Sequence, residues 1–221
     1  AATMRVLLVD DHELIWNGTR RLLEEVARQV SLPTSLTFQA VRDVPAALAL
    51  PDEAFDLIML DYHLPGCTGL SALKEIQRRF ETTTVCMLSA ESGGDQIRAV
   101  LEAGAAGFIP KSYGEAEMAS ALRLVLRQKV YAPAEFLLTQ EIVRGREDDE
   151  VRAEEMSAFL RSELSTRQRQ VLSLALRGLP NKGIARRLQI AEGTVKVHLS
   201  MVYRALGVKN RVGALCRVLE A

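Results

Sequence analysis

Leu57-Ile58-Met59-Leu60-Asp61-Tyr62-His63-Leu64-Pro65-Gly66 reads as an apolar strand that stops on a carboxylate and then turns through Pro-Gly. Four consecutive apolar residues leave no polar face, so a strand built from them needs cover on both sides. A lone aspartate in that position most often starts a turn or caps a helix. What decides its role is which other residues end beside it.

Working outward, the first part of the chain alternates strand and helix patterns. Apolar runs at 5–9, 36–39, 85–88 and 107–109 join 57–61 as predicted strands, and helical spacing is read at about 14–27, 44–50, 70–80, 96–103 and 115–127. Ala1-Ala2-Thr3, ahead of Met4, are expected to lie outside the fold. Three of the runs are apolar on both faces, the pattern of a parallel sheet between helices. All strands of such a sheet finish at one edge, where functional groups gather. The first run ends in Asp10-Asp11, the third in Asp61, the fourth in Ser89, and the fifth reaches Lys111 through Pro110.

Three carboxylates, one hydroxyl and one ammonium on a single edge permit a narrow chemistry. Crowded carboxylates repel unless a cation sits among them, and an all-oxygen cluster suits a hard ion such as Mg²⁺. One aspartate can attack phosphorus to give an acyl phosphate. The hydroxyl and the ammonium can then bind phosphoryl oxygens and offset the developing charge. Helix capping alone does not account for the lysine.

At these positions residues 4–127 resemble the receiver domains of two-component response regulators, whose flavodoxin-like fold is a five-stranded, doubly wound parallel sheet. The resemblance implies that Asp61 is the phosphoacceptor, that Asp11 ligates Mg²⁺ with Asp10 beside it, and that Asp61 and the backbone carbonyl of His63 complete the metal site. It also implies that Ser89 and Lys111 bind the phosphoryl group, and that Phe108 is a switch aromatic that turns inward with Ser89. From the residues alone, Phe108 is a core strand residue. Tyr62 departs from the aliphatic residue usual after the acceptor. His63 and Glu91 are expected to flank the pocket mouth, and His12 to be a surface residue beside the acid pair.

Composition sets the wider frame. The 221 residues are 48% hydrophobic, ample for one large or two modest domains. Three cysteines, Cys67, Cys86 and Cys216, have no metal-like spacing and read as free thiols. No apolar run approaches the roughly 20 residues that span a bilayer, and there is no export signal, so a soluble cytoplasmic protein is expected. The formal net charge is zero, yet residues 1–150 hold 15 Lys+Arg against 23 Asp+Glu while residues 151–221 hold 13 against 5. Opposite signs imply two domains with different partners. Nine of the twelve residues in Arg144 to Glu155 are charged, which suits a linker or an exposed helix. The expected division is 4–127, a linker over 128–163, and a second domain over 164–221.

In that second domain Ser165-Thr166-Arg167-Gln168 is a capping box opening a helix to about Arg177. Further helices are read at 181–188, 192–206 and 211–219, the middle two joined by the tight turn Gln189-Ile190-Ala191, which makes a helix-turn-helix within a four-helix unit. Val195, Leu199, Val202 and Leu206 form a buried stripe on the third. Lys196, Ser200 and Arg204, with Val197 between, form the opposite polar face, on a helix the size of a major groove. Arg186, Arg187, Lys209 and Arg211 lie where phosphates could be gripped.

The segment LSTRQRQVLSLALRGLPNKGIARRLQIAEGTVKVHLSMVYRALGVKNR resembles the LuxR-type helix-turn-helix of NarL/FixJ response regulators, with GTVKVH as its most specific signature. The resemblance implies that Lys196 and Val197 approach base edges and that Thr194 and Lys209 lie near the DNA backbone. Packing or a phosphate contact is expected of His198. Gln168 and Gln170 replace usual glutamates, Gly183 replaces a glutamate inside a helix, and Ala191 replaces a hydroxyl cap. The glycine is expected to cost roughly 0.5–1 kcal/mol relative to alanine, and the missing cap about 0.5–2 kcal/mol.

The whole is thus expected to be a transcription regulator, phosphorylated on Asp61 by a histidine kinase, dimeric when phosphorylated, acting on DNA and RNA polymerase. It is not expected to be an enzyme beyond catalysing its own phosphorylation and dephosphorylation. Two alternatives stay open. A phosphatase using an aspartyl phosphate usually has a second acid where this chain has His63. An adaptor that binds protein would keep the first domain and carry Ala191, Gly183 and the glutamines Gln168 and Gln170 as marks of a decayed DNA reader.

Overall fold

A computed structural model of the chain describes residues 3–29, 35–51, 55–126, 130–133, 136 and 149–219. Five strands, β1 (Thr3–Val9), β2 (Ser35–Val41), β3 (Leu57–Asp61), β4 (Thr84–Ser89) and β5 (Gly107–Pro110), form one parallel sheet in the order β2-β1-β3-β4-β5. Helices α1 (Glu13–Gln29), α2 (Val44–Leu48), α3 (Gly69–Arg79), α4 (Gly94–Glu102) and α5 (Glu115–Leu126) alternate with them. No helix among the described residues is long and apolar enough to cross a membrane.

The period of two along each strand sorts side chains into two cores. Leu7, Val9, Ile58, Leu60, Val85, Met87 and Phe108 face the side covered by Ala72, Leu73, Ile76, Ile97 and Val100. Val6, Leu8, Leu57, Met59, Cys86, Leu88 and Ile109 face Leu23, Val26, Ala121, Leu122 and Val125. Every residue of β3 is therefore buried, as its unbroken apolar run requires. The β2 edge shows only partial burial. The opposite edge is partly closed by Tyr131, which pairs parallel to Gly107: Phe108 N–H donates to the Tyr131 carbonyl at 3.1 Å, and Tyr131 N–H to the Ala106 carbonyl at 2.9 Å.

Several boundaries differ from the sequence reading, each for a local reason. Thr3 belongs to β1: it pairs with Ser35, and the two hydroxyls lie 2.8 Å apart. α2 stops at Leu48, short of Leu50, with Ala49 as its cap. α4 starts two residues early because Gly93, as its N-cap, and Gly94, its first residue, are invisible to apolar periodicity.

The second unit contains α6 (Asp149–Glu163), α7 (Thr166–Leu176), α8 (Asn181–Leu188), α9 (Glu192–Ala205) and α10 (Arg211–Leu219). The Ser165 box forms as read: Gln168 N–H donates to Ser165 Oγ at 3.2 Å, and Ser165 N–H to Gln168 Oε1 at 2.8 Å. Val171, Ile184, Val195 and Leu199 make one small core, and Leu164, Leu172, Val202, Leu206 and Ala214 another, to which Met156, Phe159 and Leu160 of α6 add. Between α8 and α9, Gln189 takes φ 54° and ψ 46°, a left-handed cap usually left to glycine or asparagine. Gln189→Gly is expected to raise stability by about 0.5–1 kcal/mol, since the strain on a Cβ in this region exceeds glycine's entropic penalty; urea melts check this.

The two units are packed together. Val212 and Cys216 of α10 are buried in the same core as Leu101 and Ala105 of the first unit, and Val212 N–H donates to Glu102 Oε1 at 3.0 Å. Gly178, at φ 82°, lies so close to Ala106 that an added Cβ would collide with it. Arg211 is turned inward, its guanidinium donating to the carbonyls of Ala175 and Leu179. The sequence placed Arg211 among the phosphate-gripping cations; in this arrangement the burial that seals the seam takes it out of that set.

Candidate functional site

The edge where β1, β3, β4 and β5 end carries the chemistry. Asp10, just past β1, and Asp61, at the end of β3, are almost wholly buried, while Asp11 is one-third exposed. Lys111 reaches in from beyond β5, its Nζ 2.7 Å from Asp10 Oδ2 and 2.9 Å from Asp61 Oδ2. Burial pulls the Lys111 ammonium toward a lower pKa, but the hydrogen bonds and charges of Asp10 and Asp61 outweigh it and hold the group above its ordinary value. The lysine is therefore a fixed positive charge bridging two buried carboxylates.

The neighbouring groups are set by the backbone. Asp61 lies beside Leu88 in the β3–β4 register, Tyr62 N–H donates to the Leu88 carbonyl at 2.7 Å, and Lys111 N–H donates to the Ser89 carbonyl at 2.7 Å. Ser89 is fully buried at the end of its strand, where its Oγ accepts from Glu91 N–H at 3.1 Å. His63 N–H donates to Asp61 Oδ1 at 3.1 Å. Its imidazole Nε2 stands 3.8 Å from Glu91 Oε2, both side chains well exposed.

His12 is a surface residue beside the acid pair, as the sequence reading expects, and its ring comes close to the acids. Its ring is largely exposed, but Nδ1 leans over the acids at 2.9 Å from Asp11 Oδ1, 3.1 Å from Asp10 Oδ1 and 3.9 Å from Asp61 Oδ2. Candidate donor atoms of Asp10, Asp11, His12 and Asp61 all lie within 4.8 Å of one another. One oxygen of each aspartate is shut from solvent: those of Asp10 and Asp61 face the Lys111 ammonium, and that of Asp11 faces His12 Nδ1. A carboxylate-dominated set of this size fits a small hard cation.

Tyr62 and Phe108 belong to one aromatic cluster. Phe108 is fully buried, and its ring meets Tyr62 edge-on at 6.4 Å; Tyr62 in turn meets His63 at 5.1 Å. The Tyr62 ring lies over Gly69, where any Cβ would collide with it. That close packing is what the unusual aromatic after Asp61 requires.

In the second unit α9 presents the two faces that the spacing predicts. Val195, Leu199 and Val202 are buried; Thr194, Lys196, Val197, Ser200 and Arg204 are exposed, as is Lys209 just beyond the helix. Val197 and Met201 are half-exposed apolar side chains on the same open face. Lys196 pairs with Glu192 one turn earlier, at 3.0 Å. His198 is partly buried, with Nδ1 shut from solvent and without a hydrogen-bond partner. Ala191 caps α9 without a side-chain hydrogen bond.

Comparison with known proteins agrees with both halves. Residues 6–123 match the response regulator receiver domain, and residues 162–218 match the bacterial regulatory proteins of the luxR family. The chain belongs to the response regulators. It is similar to the glycerol metabolism activator of Pseudomonas putida, 33% identical over 96% of this chain and 93% of that protein. It is also similar to the nitrate/nitrite response regulator protein NarP of Escherichia coli, 31% identical over the whole of this chain and 96% of that one. The solved RcsB response regulator of Salmonella typhimurium shares the fold, with a TM-score of 0.55, 22% identity and 97% of each chain covered. A receiver domain joined to a LuxR-type DNA-binding domain makes this response regulator a transcription regulator, not a conventional enzyme, and the protein-binding adaptor is not favoured.

What sequence reasoning missed in this regulator is mostly contact across distance. Nothing in Asp-Asp-His foretells that the His12 ring turns back onto the acids, because a flexible side chain decides it. Tyr131 had one signal, an aromatic between Val130 and Ala132, but a single bridging residue is too short for period-two reading.

Proposed function

We propose that Asp61 is the phosphoacceptor and that its phosphorylation governs sequence-specific DNA binding by the second domain. The observation that carries this reading is Lys111 bridging Asp10 and Asp61 at 2.7 and 2.9 Å beside the buried Ser89. Asp61 attacks the phosphorus of a phosphohistidine on a partner kinase; the P–O bond forms as the P–N bond breaks and the imidazole leaves. Lys111 then passes from the carboxylates to a phosphoryl oxygen, and the Ser89 hydroxyl donates to another. Asp10, Asp11, Asp61 and the His63 carbonyl are the proposed Mg²⁺ site, and the bound ion would neutralise the carboxylates and the phosphoryl oxygens. Because Phe108 is already buried, the switch is a repacking of Phe108 against Tyr62 as Ser89 moves.

The receiver is proposed to span 4–127 and to catalyse its own phosphorylation and dephosphorylation. A linker over 128–163, whose last part is the helix α6 packed on the second unit, leads to the DNA-binding domain at 164–221. Lys196 and Val197 read base edges, Ser200 and Arg204 extend that face, and Thr194 and Lys209 hold the backbone. Phosphorylated copies pair so that two α9 helices meet half-sites about 34 Å apart. The protein works in the cytoplasm and acts on RNA polymerase from its DNA site. The test is selection of bound DNA from a random pool with acetyl phosphate and Mg²⁺, for wild type and Asp61→Ala. Phosphorylation is expected to raise recovery of one sequence class at least about tenfold, a 1.4 kcal/mol coupling. Equal recovery by the two proteins would overturn the switch.

A further inference from the structure

The two units meet through charge as well as through apolar packing. Glu81, in the turn between α3 and β4, directs its carboxylate at α8, where it pairs with Lys182 Nζ and lies 3.2 Å from Arg186 Nη1. The two cations stand four residues apart, on one face of α8. Gly183, between them, is buried against the Glu81 carbonyl oxygen, and an added Cβ would collide with it. The carboxylate is the less exposed partner at 22%, against 51% for Lys182 and 69% for Arg186. Hydrogen bonding from Lys182, then the charges of Lys182 and Arg186, outweigh the burial penalty and hold the Glu81 carboxyl below its ordinary value.

The reading helix is not what this arrangement engages. Lys196, Val197, Ser200, Met201 and Arg204 of α9 stay exposed while α8 is held. In a helix-turn-helix the helix before the reading helix crosses the DNA backbone, so cations on its outer face meet phosphates when the reading helix enters the groove. A pair of cations converging on one carboxylate is chemically the arrangement that grips a phosphate.

We propose that Lys182 and Arg186 form a DNA-phosphate grip, and that Glu81 of the receiver occupies it when the two domains are docked. This rests on the DNA-binding reading above and adds the element through which docking weakens binding. Gly183 acquires a reason here: the glutamate usual at that position would drive α8 off Glu81. The docked protein withholds backbone affinity, and its base-reading face remains available.

The test is fluorescence anisotropy of a duplex recovered from the random-pool selection, titrated with unphosphorylated and acetyl-phosphate-treated protein from roughly 50 to 200 mM salt, the range over which phosphate contacts show in the slope. Glu81→Gln is expected to raise unphosphorylated affinity about tenfold and to steepen the log–log salt slope by up to about 1.8, for two added phosphate contacts. Gly183→Ala should give the same gain by steric release. Adding Lys182→Ala and Arg186→Ala should abolish the gain and flatten the phosphorylated wild-type slope equally. If wild type binds the duplex but Glu81→Gln leaves affinity and slope unchanged, this inference fails alone. A gain with Gly183→Ala that is absent with Glu81→Gln also overturns it, since docking would then act without the grip. Wild type that binds no duplex in either state overturns the DNA-binding reading itself.

Discussion

Replacing Asp61 with asparagine is expected to remove hydroxylamine-labile phosphate incorporation from acetyl phosphate, by roughly a thousand-fold or more, the scale on which loss of a nucleophile acts. Position singles out Asp61. Of the three clustered acids, Asp61 alone lies on β3, between β1 and β4 in the sheet order, with Leu88 as its register partner and Ser89 one residue further on. Asp10 and Asp11 follow β1, on the far side of β3 from Ser89. A phosphoryl group on Asp61 therefore sits where Lys111 and Ser89 both reach it, and one on Asp11 does not. The Asp61→Asn side chain keeps the shape of the carboxylate, and the His63 N–H can still donate to its amide oxygen, so the fold should survive. Asp11→Asn should slow incorporation through the metal site while leaving the acceptor in place. Equal labelling of wild type and Asp61→Asn would move the acceptor elsewhere.

The parts of this picture that were legible in the sequence are those fixed by local pattern. Leu57 to Leu60 demanded two-sided cover, so β3 had to be central, and Asp, Ser and Lys at successive strand ends had to gather at one sheet edge. The stripe Val195, Leu199, Val202 faced inward because a 3.6-residue period leaves no other choice. What was illegible depends on surfaces that meet late. Gly183 looked like a weak point of its helix, since the Glu81 carbonyl that explains it lies about a hundred residues away in the chain. Arg211 looked like a surface cation because sequence carries charge, not burial; two backbone carbonyls of its own domain hold it inside. Gln189 gave no warning of a left-handed backbone, which its neighbours impose against its own preference.

Lys111→Met is expected to destabilise the metal-free protein by about 3–5 kcal/mol, the range for removing one partner of a buried ion pair. Asp10 and Asp61 have almost no solvent to turn to, and Lys111 is the ammonium that bridges them. Methionine fills much the same volume, so the loss reports charge and not a cavity. His12 cannot substitute fully, because its ring is mostly exposed and lies nearest Asp11, the most solvated of the three acids. Mg²⁺ should then restore more stability to the variant than it adds to wild type, because in wild type the ammonium already supplies part of the charge that the ion brings. Urea melts in chelator and across a Mg²⁺ titration measure both effects, and a second change, Asp10→Asn, should recover part of the loss without metal by removing one of the stranded charges. Lys111→Met melting like wild type in chelator would mean that the two carboxylates do not need the lysine. Its place in the site would then be for phosphoryl binding alone.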